Sequence, residues 1–358
     1  MSATFRVGVI AGDGIGPEVV EVTLPVLEHA AALEGVRLDW LHFPWGCDYY
    51  RDTGRMMPTD ALDRLREVDA IFLGAIGRPD VPDHISVWEL ILPIRQAFQQ
   101  YVNLRPMELL PGLPPVLAGK RGHPFPPESF RMVCVRENSE GEYSGVGGRY
   151  GEGTPEERAE QIGVFTRKGI ERVARYAFQL AESRPRRLLA SATKSNAWQY
   201  AMVLWDEVVA EVARDFPSVT WRPYHVDALS ARMVTHPESL DVIVASNLFG
   251  DILSDLGAAL TGSLGLAPGA NLNPAREYPS MFEPIHGSAP DIAGKGVANP
   301  IGTIWAGALM LDHLGIGDAA AALVNAIRRT VADGSVLTPD LGGQAGTGDV
   351  AQAVRTAL

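Results

Sequence analysis

The first 75 residues alternate short apolar strands with amphipathic helical stretches, and this alternation limits the possible folds more than any other feature. Strand-like Phe5–Ile10, Arg37–Phe43 and Ala70–Leu73 are separated by helical Pro17–Glu34 and Thr59–Val68. This βαβ order predicts an α/β fold with a mainly parallel sheet covered by helices. Further strands are predicted at Arg131–Arg136, Arg187–Ala190, Val219–His225 and Val242–Ala245.

Length and charge exclude several functional classes. The 358 residues predict about two domains, and 43 acidic against 31 basic residues disfavour a nucleic-acid partner. The longest uncharged stretch, Leu256–Ala275, contains Gly, Pro and Asn, which predicts a loop and not a membrane span. The N-terminal apolar run ends at Asp13, too soon for a secretory signal, and the two cysteines fit a reducing cytoplasm.

Two stretches interrupt the alternation and suggest a domain boundary. Leu109–Phe130 contains six prolines and predicts an irregular surface excursion. Gly145–Gly153 is rich in glycine and precedes a predicted helical run near Pro155. We therefore expect a discontinuous first domain of residues 1–103 and 262–358, and a second domain of residues 104–261, with the chain crossing back through a loop near 261–273.

A glycine-rich turn joins the first strand to the first helix. Gly12, Gly14 and Gly16 are spaced G-x-G-x-G, whereas dinucleotide-binding turns are spaced G-x-G-x-x-G. Asp13 would repel a pyrophosphate at this position. The pattern therefore favours a tight turn that opens an active-site cleft over a Rossmann cofactor site.

Paired carboxylates indicate a hard metal ion. Asp251 and Asp255 are four residues apart, so they share one face of a predicted helix, where their charges repel unless a cation neutralises them. Oxygen ligands suit Mg²⁺ or Mn²⁺, and Asp227 is a candidate third ligand. The alternative is that these acids only stabilise the helix N-terminus.

Cationic and phenolic side chains complete the candidate site. Arg95, Arg105 and Arg136 lie near element boundaries, where converging guanidiniums can bind carboxylates, although each alone is also typical of a surface charge. Lys194 at the end of a strand is a candidate base, and Tyr143 a candidate acid. A tyrosine at this position also serves simply in packing.

Five segments in order resemble the isocitrate/isopropylmalate dehydrogenase family of metal-dependent decarboxylating dehydrogenases. They are Gly12–Glu18, Val135–Ser144, Ala192–Asn196, Ser246–Asp255 and Glu283–Asp291. The resemblance spans essentially the whole chain. It implies an isopropylmalate dehydrogenase-like, non-Rossmann fold and a homodimer with shared active sites, in which the segment after Ser144 forms an intersubunit arm.

The resemblance also implies a role for each candidate residue. Arg95, Arg105 and Arg136 would clamp the substrate carboxylates, while Asp251 and Asp255 would hold the metal. Asp227 and Lys194 would reach in from the partner subunit, Lys194 assisting deprotonation of the 2-hydroxyl, and Tyr143 would protonate the enolate left by decarboxylation. The residues expected to line the NAD site are Glu283, His286, Gly287, Ser288, Ala289, Asp291, Ile292 and Asn299.

The expected reaction is the NAD-dependent and Mn²⁺- or Mg²⁺-dependent oxidation and decarboxylation of a 2-hydroxy dicarboxylic acid, with K⁺ as an optional activator. Trp45–Tyr50 and Val81–Trp88 resemble the tartrate/D-malate dehydrogenase branch. That branch has a Lys-Phe pair before the first clamp arginine and a second Arg after it, whereas Glu89–Gln96 has neither and contains Pro93. The alternatives are a 3-isopropylmalate dehydrogenase, since Ile91 and Leu92 are apolar, and a non-catalytic subunit. Asp291 predicts NAD over NADP, because a carboxylate repels a 2′-phosphate.

Overall fold

The computed structural model describes residues 3–114, 116 and 130–358. Its strands are β1 Thr4–Gly12, β2 Arg37–His42, β3 Ala70–Ala75, β4 Val102–Glu108, β5 Arg131–Glu137, β6 Gly141–Tyr150, β7 Arg158–Val164, β8 Leu188–Thr193, β9 Thr220–His225, β10 Val242–Ala245, β11 Pro268–Leu272 and β12 Ser280–Pro284. Its α-helices are α1 Gly16–Leu33, α2 Cys47–Thr53, α3 Ala61–Leu65, α4 Asp83–Ser86, α5 Leu92–Ala97, α6 Arg167–Ser183, α7 Ala201–Ala213, α8 Val226–Thr235, α9 Asn247–Leu260, α10 Ile301–His313, α11 Gly317–Asp333 and α12 Thr347–Thr356.

One ten-stranded sheet runs through the molecule in the order β2-β1-β3-β12-β11-β4-β5-β10-β8-β9. Both outer parts are parallel, which confirms the predicted mixed α/β class, while β12, β11, β4 and β5 pair antiparallel to one another in the middle. The strands of the predicted first domain occupy one half of the sheet, and those of the predicted second domain occupy the other. The division into domains stays a prediction.

Helices cover both faces of the sheet, as continuous apolar strands require. Every residue of β3 and of β10 is buried. A large apolar cluster joins α1, α10 and α11 on one side of the sheet with α6 and α7 farther along it, and a second cluster lies around Phe43, Trp45 and Phe98. In the described part of the chain, no helix has the length and apolar character that crossing a bilayer requires.

The expectation of a loop near residues 261–273 is wrong. Residues 268–272 form β11, a fully buried strand in the middle of the sheet. The sequence Pro-Gly-Ala-Asn-Leu is typical of a turn, but Asn271 is hydrogen-bonded inside the sheet and therefore tolerates burial. The residues before this strand form the end of α9 and a short 3₁₀ turn at Leu264–Leu266.

The glycine-rich stretch after Ser144 belongs to a separate antiparallel pair of strands, β6 and β7. The helical run expected near Pro155 is wrong, since β7 occupies Arg158–Val164 and α6 begins only at Arg167. This pair, which we call the arm, exposes apolar side chains at Val146, Tyr150, Ile162 and Val164. The proline-rich excursion at 109–130 falls mostly on residues 115 and 117–129, outside the described residues.

Candidate active site

A cleft of about 270 Å³ opens where the two halves of the sheet meet. Its walls come from α5, β4, β5, β6, α9 and β12, so residues far apart in the sequence converge there. The predicted site residues that line the cleft are Arg95, Arg105, Arg136, Tyr143, Asp251, Glu283, His286 and Gly287.

Two buried arginines share one carboxylate. Arg105 on β4 donates from Nη1 to Asp251 Oδ1 (3.0 Å) and to Ser254 Oγ (2.7 Å). Arg136 on β5 also pairs with Asp251 Oδ1, and its Nε and Nη2 donate to Asn247 Oδ1 at 3.1 and 2.8 Å. Helix α9 approaches this closely because Gly250 faces Arg136, where a Cβ would lie 2.6 Å from the arginine side chain.

The charges of this group set its protonation. Burial alone would raise the pKa of Asp251, but the charges of Arg136 and Arg105 outweigh it, so this pKa lies below its ordinary value of 3.8. Burial, with the neighbouring charge of Arg105, lowers the pKa of Arg136 to about 10. At neutral pH the group therefore consists of one carboxylate between two cations, with positive charge left over for an anionic ligand.

Tyr143 on β6 completes this wall of the cleft. Its hydroxyl donates to Asp251 Oδ2 at 3.2 Å, and its ring lies 5.5 Å from the guanidinium of Arg136. Burial and the charge of Asp251 raise the pKa of Tyr143. The phenol therefore carries its proton at neutral pH, as a general acid must.

Asp255 lies one helical turn beyond Asp251 and has a different environment. Its side chain is more than half exposed, and its nearest cation is Arg105, whose Nη1 lies 3.6 Å from Oδ1. Burial raises the pKa of Asp255, and the charge of Asp251 adds to the effect. The negative charge of Asp255 is disfavoured because a second carboxylate, Asp251, lies beside it. A bound cation would relieve this repulsion, so these two residues fit a divalent metal.

Lys194 and Asp227 pair with each other outside the cleft walls. Lys194 follows β8 as predicted, and Asp227 lies in the first turn of α8 and not at the end of the strand. Lys194 Nζ is 2.8 Å from Asp227 Oδ1, and this hydrogen bond is the main reason that the pKa of Asp227 is lowered. Across the ranges 3–114 and 130–358 of one chain, no three His, Cys, Asp or Glu side chains gather into a group that could hold a metal.

Glu283 and Arg95 form an ion pair on the opposite wall. Arg95 Nη2 lies 2.8 Å from Glu283 Oε1, and both side chains are nearly buried. Next along the chain, His286 Nδ1 lies 3.0 Å from the carbonyl oxygen of Gly287. Burial lowers the pKa of His286, and its Nε2 is a buried atom without a hydrogen-bond partner among the described residues, as in a side chain that awaits a ligand.

The rest of the predicted cofactor segment packs against the glycine-rich turn. Ile15 N donates to the carbonyl oxygen of Ser288 (2.8 Å), and a Cβ on Gly14 would lie 2.0 Å from that oxygen. The carboxylate of Asp13 accepts hydrogen bonds from the backbone amides of Cys47 and Gly77, each at 2.9 Å. The turn therefore holds the segments around Cys47, Gly77 and Ser288 together.

The four other predicted cofactor residues differ in exposure. Ala289 and Ile292 pack against a small buried group that includes Ile15, while Asp291 is exposed. Asn299 is buried, accepts from Ile301 N at the start of α10 and donates to Asp340 Oδ2 at 3.0 Å.

Comparison with known proteins shows which family this chain belongs to. The model of the isocitrate/isopropylmalate dehydrogenase family matches residues 6–354. The chain belongs to this family. A probable tartrate dehydrogenase/decarboxylase of Agrobacterium vitis is 54% identical over 355 residues, covering 99% of this chain and 98% of that protein. The D-malate dehydrogenase (decarboxylating) of Escherichia coli K12 is 53% identical over 361 residues, with the same coverage.

The fold agrees with that of a solved family member. The crystal structure of isocitrate dehydrogenase from Methylococcus capsulatus superposes with a TM-score of 0.87 at 37% identity, covering 99% of both chains. This confirms the isopropylmalate dehydrogenase-like fold expected from the sequence. The relatives named above are decarboxylating dehydrogenases, and enzymes of this family depend on NAD(P) and a divalent metal.

Several polar residues that support the family's cleft in this chain were not predicted from the sequence. Asn247 holds Arg136, Asn103 accepts from Arg105 Nε at 2.5 Å, and Asn271 contacts Glu283. Isolated asparagines carry little signal in a single sequence because they are equally typical of turns. Their burial, in strands for Asn103 and Asn271 and at the start of α9 for Asn247, distinguishes them only once the fold is known.

Proposed function

We propose that this protein catalyses the NAD-dependent and divalent-metal-dependent oxidation and decarboxylation of a 2-hydroxy dicarboxylic acid, with D-malate and tartrate as substrates. The observation that carries the proposal is the convergence of Arg95, Arg105 and Arg136 on one small cleft beside Asp251 and Tyr143. Guanidiniums bind carboxylates in this manner, and a dicarboxylate offers several such contacts.

Each side chain then has a defined task. The three arginines bind and orient the substrate carboxylates, and Tyr143 donates its proton to C3 after carbon dioxide has left. Asp251 and Asp255 would hold Mn²⁺ or Mg²⁺, the choice that oxygen ligands favour. When bound, the metal would stabilise negative charge at the C2 oxygen, and NAD would accept the hydride from C2.

Among the described residues of one chain, no third His, Cys, Asp or Glu joins Asp251 and Asp255 at the metal position. In our proposal a second copy of the chain supplies both this ligand and the base. Lys194 and Asp227 would come from the partner subunit, Lys194 to take the proton of the 2-hydroxyl and Asp227 to complete the metal site. The exposed apolar residues of the arm, together with Tyr200 and Ile252, support a homodimer, because such side chains favour burial against another surface.

The remaining components follow from the cleft and the composition. NAD would lie along Glu283, His286–Ile292 and Asn299. The exposed carboxylate of Asp291 favours NAD over NADP because it repels a 2′-phosphate. K⁺ is an additional cation to test. We place the enzyme in the cytoplasm, where its free cysteines, Cys47 and Cys134, would stay reduced.

A second substrate has one observation in its favour. Val87 and Ile91, from the π-helical turn at Val87–Ile91 that precedes α5, line the cleft with apolar side chains. Such a wall suits the alkyl group of 3-isopropylmalate. Leu92, the other apolar candidate, is buried and does not line the cleft.

The test is a substrate comparison on the purified protein with Mn²⁺. We expect kcat/KM for D-malate or tartrate to exceed that for 3-isopropylmalate, NAD to be preferred over NADP, and excess chelator to abolish turnover reversibly. A higher kcat/KM for 3-isopropylmalate would select the alternative substrate. Full activity in chelator, or no oxidation of any of these acids, would refute the proposed function.

A further inference from the structure

A continuous chain of hydrogen-bonded side chains joins the two walls of the cleft. It starts at Asp251 and passes through hydrogen bonds between successive side chains to Arg105, Asn103, Asn271, Glu283 and Arg95. We call these six residues the relay. Along it the distances are 3.0, 2.5, 2.7, 2.7 and 2.8 Å.

The relay crosses the antiparallel middle of the sheet. Asn103 on β4 and Asn271 on β11 lie directly opposite each other, and both are fully buried. Glu283 lies on β12, the next strand, which pairs with β11 on its other side. The three strands therefore carry polar side chains through the buried middle of the sheet. Burial of such groups is tolerated only when they are well hydrogen-bonded.

Asn271 is the central member, and its contacts fix its orientation. Its Oδ1 accepts from Asn103 Nδ2 (2.7 Å) and Asn138 Nδ2 (2.9 Å). Its Nδ2 donates to Glu283 Oε1 (2.7 Å) and to the carbonyl oxygen of Met281 (3.3 Å). An ionised carboxylate can only accept, so the amide nitrogen must face Glu283. Only a side chain with both a donor and an acceptor can make this junction.

At the end of the relay, Glu283 Oε1 accepts from both Asn271 and Arg95. The position of Arg95 thus depends on where Asn271 holds this oxygen. Arg95 also lines the cleft, so its guanidinium lies where it can contact a ligand there. Near the other end of the relay, Arg105 is hydrogen-bonded to Asn103 and Asp251 and lies on the opposite wall of the same cleft.

We propose that Asn271 is a positioning residue. It fixes Glu283 and, through Glu283, the position of Arg95 relative to Arg105. The two guanidiniums on opposite walls are then spaced to bind the two carboxylates of the substrate. The proposal rests on the proposed function, because it assumes a dicarboxylate in the cleft. Asn271 itself touches no substrate. Its effect reaches the substrate through its hydrogen bond to Glu283, which in turn positions Arg95.

The test places a carboxylate at the junction. In Asn271→Asp the side chain keeps its shape and can still accept from Asn103 and Asn138, but it faces Glu283 with a second negative charge. The two carboxylates must separate, and Arg95 moves with Glu283. We expect the KM for D-malate to rise at least tenfold.

A second substitution distinguishes positioning from a general loss of stability. In Asn271→Asp/Glu283→Gln the repulsion between the two carboxylates is removed. The new amide nitrogen can donate to the new carboxylate, and because Arg95 and Asn271 both bind Oε1 in the wild type, the side chain must also turn to present its oxygen to Arg95. We therefore expect the KM of the double variant to be less than threefold higher than the KM of the single variant Glu283→Gln. A purely structural role of Asn271 gives the same increase in both backgrounds.

Asn273→Asp is the matched control. Asn273 is also buried and lies two residues farther along, but its side-chain bonds go only to backbone groups, Phe98 O and Glu277 N. This variant is expected to lower Tm and to leave the KM for D-malate within twofold. If Asn271→Asp does not fold, Asn271→Ala removes the junction without adding charge and is expected to raise KM in the same direction.

The relay is overturned if Asn271→Asp or Asn271→Ala has the wild-type KM, if the increase matches that of Asn273→Asp, or if Glu283→Gln gives no rescue. A failure of the proposed function has a different signature. The wild-type protein itself would then oxidise no 2-hydroxy dicarboxylic acid, and the positioning role would fall with it.

Discussion

Two groups of opposite charges, both expected from the sequence to serve one reaction, differ sharply in their surroundings. Asp251 lies between Arg105 and Arg136, whose side chains are 8% and 3% exposed. Lys194 and Asp227 form a single contact, and their side chains are 27% and 69% exposed. The first group is complete within one chain, whereas the second has a free surface on which a further molecule can bind.

The difference also separates stability from catalysis. Removing one member of a buried ion pair leaves the other charge without a partner and costs several kcal/mol, whereas exposed pairs contribute little. The cleft group should therefore support both the fold and the reaction. The Lys194–Asp227 pair should matter for the reaction alone.

The largest expected effects come from one substitution in each group, measured at pH 7. Asp251→Asn leaves two buried cations without their carboxylate, so we expect a loss of about 2 kcal/mol in stability, reduced from the fully buried case because Asp251 is partly exposed. Activity should fall more than about 100-fold, since a metal ligand is lost. Lys194→Met should lower activity by about 10²–10⁴-fold, the range for a general base, with little change in Tm.

The pH dependence of Tm provides the control. Because the pKa of Asp251 is lowered in the folded protein, its contribution to stability is present above its ordinary pKa of 3.8 and is lost as pH falls through the folded value. The Tm difference between wild type and Asp251→Asn should therefore shrink in acid. Equal Tm losses in Asp251→Asn and Lys194→Met at pH 7 would contradict the expectation that only the cleft group stabilises the fold.

A smaller effect separates the two acids of the cleft. The pKa of Asp255 is raised, so its contribution to stability is greatest below pH 3.8 and is lost as pH rises through the folded value. In chelator at pH 7, Asp255→Asn should therefore have a Tm equal to or slightly above that of wild type. The measurement is a thermal melt of both proteins with and without Mn²⁺.

Added Mn²⁺ should then reverse the order. An ion that binds the folded state stabilises it, so wild type should gain Tm while Asp255→Asn gains much less. An equal gain in both proteins would show that Asp255 is not a ligand.

The sequence predicted the fold class and most of the cleft because both depend on long local patterns. Strands such as Ala70–Leu73 are recognised because they are apolar throughout. Asp251 and Asp255 are four residues apart, so the period of the α-helix alone places them on the same helix face. The motifs around Arg136, Tyr143 and Glu283 then indicated the family. These residues line the same cleft in the structure.

Features that depend on contacts between distant strands could not be predicted in this way. The strand at Pro268–Leu272 has the composition of a turn, and its burial is explained only by the hydrogen bonds of Asn271 to Asn103 and Glu283. The arm strand β7 likewise lies where the sequence predicts a helix. The pairing of Arg95 with Glu283 joins residues 188 positions apart, and no local pattern encodes it.

The most direct test of the central claim, that two chains share each active site, is complementation between inactive variants. Lys194→Met and Asp251→Asn are mixed in equal amounts and refolded together, with heterodimer formation checked by differently tagged subunits. In each mixed dimer, one site would contain both substitutions and the other would contain neither. Half of the dimers would be mixed, so our account predicts recovery of about a quarter of wild-type activity. A mixture that contains heterodimers and stays inactive would contradict it.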